Sequence, residues 1–332
     1  MTNVIELRSD EGLVLSLMDH GATWLSCRVP MGDGSLREVL LGCATPQDQI
    51  AQKAFLGATV GRYANRIAGG RLVRDGRSWQ LTRSAGARHT LHGGPEGFHA
   101  RRWAIVARRA DEVVFALDSA DGDQGFPGRL SVRVVYRVRA CAVEMAVSAE
   151  VDRPCPVAIT QHAYFNLDPV HADVREHRLQ LRASRVMPVD AELIPFGAPV
   201  DVVDSGFDFR QRKRIAEDWL QDEQQRSAGG YDHAFLLDAA PAEQPAAMLW
   251  ASDGSLSMSV QTDAPALQIY TGQYLAGTLR REGGAYDACT GVALEPGFLP
   301  DSPNHPEWPQ PDCWLRPGQL YRQLTRWVFT PA

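Results

Sequence analysis

Lysine is almost missing from this sequence of 332 residues: Lys53 and Lys213 are the only two, and the other basic residues are arginines. Schiff-base chemistry is therefore limited to two candidates, neither of which stands in a distinctive context. No long run of Lys or Arg appears and the formal net charge is −6, so the sequence lacks the basic pattern typical of nucleic-acid-binding proteins. We expect no nucleic-acid partner.

Long apolar runs and paired cysteines are also missing. No stretch approaches the roughly 18 consecutive apolar residues of a membrane-spanning helix, and residues 1–12 lack the apolar centre of a signal peptide. The six cysteines are scattered without a CxxC spacing, which argues against a zinc ribbon and against a disulfide framework. These absences predict a cytoplasmic protein without membrane contact.

Several common catalytic motifs are not found either. The sequence has no GxSxG, no GxxxxGK[ST] and no GxGxxG after a strand, so the usual signatures of hydrolase elbows, nucleotide hydrolysis and hydride transfer are lacking. His89 and His92 are spaced like half a metal site, but no second pair of ligands completes a tetrahedron. We predict no metal centre and no cofactor.

Alternation of apolar and polar residues is the dominant pattern. Apolar residues occupy every second position from 132 to 138 and again from 143 to 149, with a break between the two runs. This period of two predicts two half-buried antiparallel strands joined by a short turn. Similar strands are predicted at residues 13–18, 113–117, 178–181, 256–261 and 320–329, and Asp-Gly turn signals occur between the strand candidates.

Helical patterns are sparse. Residues 212–223, with Ile215, Trp219 and Leu220 on one side, predict the best helix, and five prolines make residues 300–311 an ordered loop. No repeat or low-complexity linker divides the chain. We therefore predict an all-β fold with one domain over residues 1–332, a mostly antiparallel sandwich of sheets with few short helices.

Seven polar clusters lie beside glycine or aromatic residues. They are residues 61–67 (GRYANRI), 91–94 (LHGG), 125–128 (GFPG), 160–167 (TQHAYFNL), 230–233 (GYDH), 267–272 (LQIYTG) and 294–304 (LEPGFLPDSPN). Each motif alone is weak, but together and in this order they resemble the aldose 1-epimerase (galactose mutarotase) family, especially its bacterial members. The resemblance covers the chain from about residue 61 to its end and implies that family's fold, a galactose-mutarotase-like β-supersandwich.

The resemblance also implies an activity, the interconversion of the α and β anomers of a free aldohexose such as galactose or glucose. A base must take the proton of the C1 hydroxyl while an acid protonates the ring oxygen; the ring then opens, the aldehyde rotates, and the ring closes on its other face. One carboxylate and one imidazole suffice for such general acid–base catalysis. By resemblance Glu295 is the base and His162 the acid, and the acid role predicts that burial does not strongly depress the pKa of His162.

Five further residues resemble the groups that bind the monosaccharide in this family: His92, Asn65, Arg66, Asp232 and Gln268. A guanidinium offers a fixed fork of donors that suits adjacent hydroxyls. Taken from the residues alone, Asp232 also fits a turn residue and Gln268 a structural hydrogen bond. Arg62 lies in the same motif as Asn65 and fits a structural salt bridge better than a sugar contact.

Three alternatives remain open at this point. A related branch acts on hexose 6-phosphates, which requires a cationic cluster that the many arginines leave possible. A glycosidase requires two carboxylates that flank the bond, but leaves His162 unexplained. A non-catalytic sugar-binding protein on the same scaffold does not require an acid–base pair. Pro296 and Gly297 follow Glu295 where the family often has Thr-Gln, so the preferred sugar stays open, as does the choice between monomer and homodimer.

Overall fold

The structure, a computed structural model, describes residues 2–241 and 243–332, and most of their regular elements are strands. In chain order the strands are β1 (Val4–Arg8), β2 (Val14–Met18), β3 (Thr23–Pro30), β4 (Leu36–Glu38), β5 (Ala58–Val60), β6 (Arg66–Ile67), β7 (Arg71–Arg74), β8 (Arg77–Gln80), β9 (Thr90–Leu91), β10 (Ala104–Arg108), β11 (Glu112–Ser119), β12 (Leu130–Arg139), β13 (Ala142–Val151), β14 (Cys155–Pro156), β15 (Thr160–His162), β16 (Tyr164–Phe165), β17 (Arg178–Leu181), β18 (Arg185–Val186), β19 (Val200–Asp201), β20 (Lys213–Arg214), β21 (Asp232–Leu236), β22 (Ala247–Trp250), β23 (Leu256–Thr262), β24 (Ala266–Tyr270), β25 (Val292–Gly297), β26 (Trp314–Leu315) and β27 (Tyr321–Pro331). The described helices are α1 (Pro46–Ala51), α2 (Glu223–Ala228) and the short 3-10 segments Ala68–Gly70, Phe98–Ala100, Asp123–Gly125, Val174–Glu176 and Ser302–Asn304.

Antiparallel pairing joins these strands into three larger sheets and several strand pairs. The largest sheet has nine strands in the order β10-β11-β12-β13-β27-β23-β22-β17-β20. A six-stranded sheet has the order β16-β25-β24-β21-β18-β19, and a four-stranded sheet runs β1-β2-β3-β4. The ladders of these sheets are antiparallel. The predicted all-β class with few short helices is confirmed.

The two alternating runs of the sequence form the hairpin β12–β13. Every second side chain of β12 is buried from Leu130 to Val138, and its pairing with β13 runs unbroken from Leu130 opposite Val151 to Arg139 opposite Ala142. Alternate side chains of a strand point to opposite faces, so this row packs into the core. The other predicted strands fall on β2, β11, β17, β23 and β27 and are confirmed to within about two residues at each end.

The central strands of the six-stranded sheet, β21, β24 and β25, are buried on both faces. Phe235, Leu267 and Leu294 belong to the main hydrophobic core, which this sheet shares with the nine-stranded sheet. Their sequence neighbours point the other way, and part of that opposite face packs against a small cluster around Met187 and Trp308. The remainder of the opposite face carries polar residues, which form the site described below.

Residues 212–223 do not form the predicted helix. Before α2 begins at Glu223, regular structure there is limited to Lys213–Arg214, and turns follow. The N–H of Ile215 donates to the carbonyl of His177 in another segment, so the backbone does not make the hydrogen bonds of a helix. The helix α2 begins only after Asp222, whose side chain accepts from the backbone of its first turn, and it ends at Gly229 in the left-handed conformation.

A short helix that the apolar pattern did not predict, α1, precedes β5. Thr45 caps it by accepting from the N–H of Asp48, and Pro46 occupies the first turn, both common features of helix starts. The predicted loop at residues 300–311 is confirmed, since its regular part is the single 3-10 turn Ser302–Asn304. Within the described residues, the helices are all too short or too polar to span a membrane.

Candidate active site

Three polar side chains lie on neighbouring strands of the six-stranded sheet, on the face turned away from the main core. Glu295 of β25 lies directly opposite Gln268 of β24, and Gln268 lies opposite Ala234 of β21. Asp232 shares the face of Ala234 because it is two residues away on the same strand. The period of two in each strand therefore brings Glu295, Gln268 and Asp232 together from three separate segments.

Glu295 forms a close pair with His162, which ends strand β15. The Nε2 atom of His162 lies 3.6 Å from Oε1 of Glu295, and each side chain is only 5% exposed. This separation is somewhat longer than an ordinary hydrogen bond. A small movement of either side chain therefore brings the two groups within reach of proton transfer.

His92 approaches the same pair from the turn after β9. The N–H of Asn65 donates to Nδ1 of His92 at 3.1 Å, and the N–H of His92 donates to the carbonyl of Asn65 at 3.1 Å. Both residues have left-handed backbones. Because Nδ1 accepts a hydrogen bond, the neutral imidazole carries its proton on Nε2, so His92 is a donor toward the cavity. Gly93 allows this turn, since a Cβ there would collide with the carbonyl of Gly61.

A cavity of about 290 Å³ opens above these residues. Its lining consists of Lys53, Ala54, Phe55, Asn65, Arg66, Leu91, His92, His162, Tyr164, Asp232, Tyr270, Tyr274, Thr278 and Glu295. The guanidinium of Arg66 lies 3.6 Å from the carboxylate of Asp232. A few convergent polar groups on an aromatic and apolar wall are typical of a small-molecule site.

Burial changes the protonation of the central pair. The pKa of Glu295 is raised to about 8, mainly by burial and also by the charge of Asp232, against the opposing effect of Arg66. Burial lowers the pKa of His162 to about 4, so the expectation that this pKa is not strongly depressed is wrong. Burial also lowers the pKa of His92 well below its ordinary value and raises that of Asp232. At neutral pH the pair therefore carries one proton, which is on Glu295, and His162 is neutral.

Most of the residues predicted for the site line this cavity, with one exception. Glu295, His162, His92, Asn65, Arg66 and Asp232 are all among its lining residues. Gln268 is not: its Nε2 donates to Oδ1 of Asp232 at 2.6 Å, and its side chain is buried behind that carboxylate. Asp232 is the first residue of β21 and pairs with Tyr270 of β24, so the interpretation of Asp232 as a turn residue is wrong.

Arg62 is structural, as predicted, but not through a salt bridge. Its guanidinium donates to the hydroxyl and carbonyl oxygens of Ser119 and to the carbonyls of Ala120, Pro127 and Gly128. Within the described ranges no carboxylate lies within 4.0 Å of it. Backbone carbonyl dipoles that converge on one buried cation stabilise its charge through charge-assisted hydrogen bonds, in place of an acidic partner.

The sequence patterns did not predict one wall of the cavity. Lys53, Ala54 and Phe55 come from the segment between α1 and β5, and Tyr274 and Thr278 come from the loop between β24 and β25. The only sequence signal near residues 53–55 is the helix start at Thr45. The loop that carries Tyr274 and Thr278 has no periodic pattern that could have indicated it. Pro296 and Gly297, which depart from the family pattern, do not line the cavity.

The donor atoms of His92, His162 and Glu295 all lie within 4.8 Å of one another, a spacing open to a metal ion. Metal binding needs an unprotonated ring nitrogen, whereas the hydrogen bond from Asn65 places the proton of His92 on the nitrogen that faces the cavity. As bonded, His92 is a hydrogen-bond donor and not a ligand. The prediction of no metal centre stays a prediction.

Fold and site thus describe a protein that performs acid–base chemistry on a small polar molecule. The family model for aldose 1-epimerase matches residues 3–327. The aldose 1-epimerase of Escherichia coli is 52% identical over 98% of this chain and 94% of its own, and that of Haemophilus influenzae is 44% identical over 98% and 95%. A solved aldose epimerase homologue from C. elegans superposes with a TM-score of 0.92 at 31% identity and full coverage of both chains. The chain therefore belongs to the aldose 1-epimerase family, isomerases that interconvert the anomers of aldoses, and the predicted fold, enzyme class and reaction are confirmed.

Proposed function

We propose that the substrate is a free aldohexose, galactose or glucose, and that Glu295 and His162 carry out the proton transfers. The observation that carries this proposal is the buried pair itself, with 3.6 Å between its carboxylate oxygen and its imidazole nitrogen in the wall of the cavity. A cavity of about 290 Å³ is at the small end of ligand sites and fits a single sugar ring.

In the proposed reaction Glu295 takes the proton of the C1 hydroxyl and His162 gives a proton to the ring oxygen. The bond between C1 and the ring oxygen then breaks, and closure on the other face reverses both transfers. A protonated Glu295 with a neutral His162 has the same number of protons as a carboxylate with an imidazolium. Sugar binding therefore has only to favour the second arrangement, without uptake of a proton from solvent.

The remaining polar residues position the sugar hydroxyls. His92 donates from Nε2, close enough to His162 to reach the same part of the ring, since the two ring centres are 5.0 Å apart. Asp232 accepts and Arg66 donates to neighbouring hydroxyls, and Asn65 holds the tautomer of His92 by its backbone N–H. Gln268, predicted as a sugar ligand, acts in this proposal by orienting Asp232.

A phosphorylated sugar is the less favoured substrate. Among the described residues that line the cavity the only cationic side chains are Arg66 and Lys53, and Arg66 is already close to Asp232. One exposed lysine at the rim does not form the cluster of charged donors that phosphate recognition uses. A purely sugar-binding role is also less favoured, because binding alone does not call for a carboxyl group whose pKa is raised to about 8 beside a histidine.

We also propose a domain organisation, an oligomeric state and a cellular location. One continuous core includes residues from Ile5 to Phe329, which supports a single domain over residues 1–332. We expect a monomer or homodimer in the cytoplasm, without nucleic-acid or membrane partners. Gel filtration with light scattering tests the assembly state.

Polarimetry of freshly dissolved α-galactose and α-glucose tests the proposed substrate and residues. The protein should accelerate the approach to anomeric equilibrium, and Glu295→Gln and His162→Asn should each abolish the acceleration. Glucose 6-phosphate serves as the competing substrate. Faster turnover of the phosphorylated sugar than of either free sugar would contradict the proposal, as would wild-type activity in either variant.

A further inference from the structure

Phe55 contacts three histidines at once. Its ring centre lies 4.7 Å from His92 and 4.7 Å from His99, both in edge-to-face geometry, and 5.8 Å from His162. His92 and His162 are the two imidazoles that face the cavity. Aromatic pairs prefer defined angles at these separations, so the ring of Phe55 limits the orientations that both imidazoles can take.

The backbone that carries Phe55 is held in place by two glutamines. Buried Gln49 of α1 donates from its amide to the carbonyl of Leu56 at 2.6 Å, and Gln52 accepts from the N–H of Ala54 at 2.7 Å. Phe55 itself has a φ of +57°, a left-handed conformation that is rare for a bulky side chain. Such conformations persist where surrounding contacts enforce them, and they cluster at functional sites.

Phe55 also separates the catalytic cavity from a second, larger cavity of about 670 Å³. Lys53, Phe55 and Leu91 line both cavities. Lys53 is exposed, whereas the ring of Phe55 lies between the two spaces against His92 on one side and His99 on the other. We therefore expect deletion of this ring to widen the connection between the two cavities and to bring solvent closer to the imidazoles.

We propose that Phe55 is a positioning residue for the epimerase reaction, which fixes the angle of His92 and His162 and closes the catalytic cavity against the neighbouring one. The inference rests on the proposed roles of these two histidines. The phenyl ring of Phe55 has no group that donates a hydrogen bond to the sugar or transfers a proton. Its effect is on the geometry of the donors and on the exclusion of water, which strengthens electrostatic interactions inside a site.

The surroundings of His162 agree with this role. The titratable groups that face it are Glu295 from β25, His92 and His99 from the segment after β9, and Tyr164 from β16. Burial is the largest cause of its lowered pKa. Removing the neighbouring ring admits water, so the pKa of His162 should rise toward its ordinary value.

Three substitutions at Phe55 test the proposal. Phe55→Ala removes the ring, Phe55→Gly removes it and also relieves the left-handed backbone, and Phe55→Tyr keeps the ring. Phe196→Leu, at a half-exposed side chain outside the cavity, is the control. The measurements are kcat and KM for galactose by polarimetry, and the pH titration of His162 by NMR.

We expect Phe55→Ala and Phe55→Gly to lower kcat about 10- to 100-fold, since small misplacements of catalytic groups have effects of that size, while KM changes much less. The His162 titration should move to higher pH in both, and Phe55→Tyr should retain wild-type kcat and pH titration. Phe55→Gly covers the case in which Phe55→Ala does not fold. The proposal is overturned if either folded ring-deletion variant keeps wild-type kcat and His162 titration, or if Phe55→Tyr is as impaired as Phe55→Gly.

Failure of the proposed function would give a different result. A wild-type protein that does not accelerate mutarotation contradicts the assigned roles of Glu295 and His162. The NMR titration of His162 in wild type and in Phe55→Gly does not depend on turnover. It therefore still decides whether Phe55 shields this imidazole from water.

Discussion

The pH dependence of kcat/KM should be bell-shaped with limbs near pH 4 and pH 8. The perturbation is pH alone, and the two limits come from the lowered pKa of His162, about 4, and the raised pKa of Glu295, about 8. Between them the pair holds one proton in total, which is the protonation state that the reaction uses. Below the lower limit the pair gains a second proton, and above the upper limit it loses its only one.

The expected size follows from titration of a single proton at each end. One pH unit outside either limit kcat/KM should fall about tenfold, and between pH 5 and 7 it should be nearly constant. The assay is polarimetry at substrate concentrations well below KM, with the uncatalysed rate subtracted at each pH because acid and base also catalyse mutarotation. As the two groups interact, the limits belong to the pair and not to either residue alone.

Two outcomes would refute this reasoning. A limb near pH 6.5, the ordinary pKa of histidine, would mean that His162 is not desolvated in the free enzyme. A kcat/KM that still rises beyond pH 9 would mean that the enzyme remains active after the pair has lost its one proton. In either case the pair would not be the singly protonated unit that its burial indicates.

Three further predictions concern Arg62, Gln268 and Glu295 itself. Replacing Arg62 by Met should destabilise the fold by roughly 3 kcal/mol or more, because several buried carbonyl oxygens lose their donor; denaturant unfolding measures this, and a loss below about 1 kcal/mol would contradict it. Gln268→Leu should raise KM for galactose several-fold with a smaller effect on kcat, since it removes the 2.6 Å hydrogen bond that orients Asp232; steady-state kinetics would speak against this if kcat alone changed. Because the folded-state pKa of Glu295 is raised from 4.5 to about 8, its carboxyl group costs stability increasingly as pH rises from about 4.5 to 8. The free energy of unfolding of Glu295→Gln should therefore exceed that of wild type at pH 9, by roughly 3 to 5 kcal/mol at most. At pH 4 the two values should differ little. Equal stability of the two proteins at pH 9 would rule this out.

The strands could be predicted well because the alternation of buried and exposed residues is visible within each strand's own sequence. The runs at 132–138 and 143–149 match β12 and β13, since each strand buries one face against the core. The helix predicted at 212–223 failed for the opposite reason. The spacing of Ile215 and Trp219 fits one helical face, but the backbone of Ile215 bonds to His177, a partner that no local pattern reveals.

For the site, motif resemblance selected candidate residues but said nothing of their arrangement. The structure places Glu295 and His162 in the cavity wall, and the distance between them depends on the pairing of β25 and β15 with their neighbours. The depressed pKa of His162 could not be predicted, because burial is a property of the folded chain. The proposed positioning role of Phe55 could not be predicted either, because a single aromatic residue in a short connection has no periodic pattern.

The proposed catalytic role of Glu295 is tested most directly by comparing anomer exchange and sugar binding in one variant. Magnetisation-exchange NMR on equilibrated galactose measures the rate at which the α and β anomers interconvert, and calorimetry measures galactose binding to the same protein. Glu295→Gln should bind galactose with an affinity close to that of wild type and show no exchange above the uncatalysed rate. Exchange at the wild-type rate in this variant would contradict the role of Glu295 as the base, and with it the proposed mechanism.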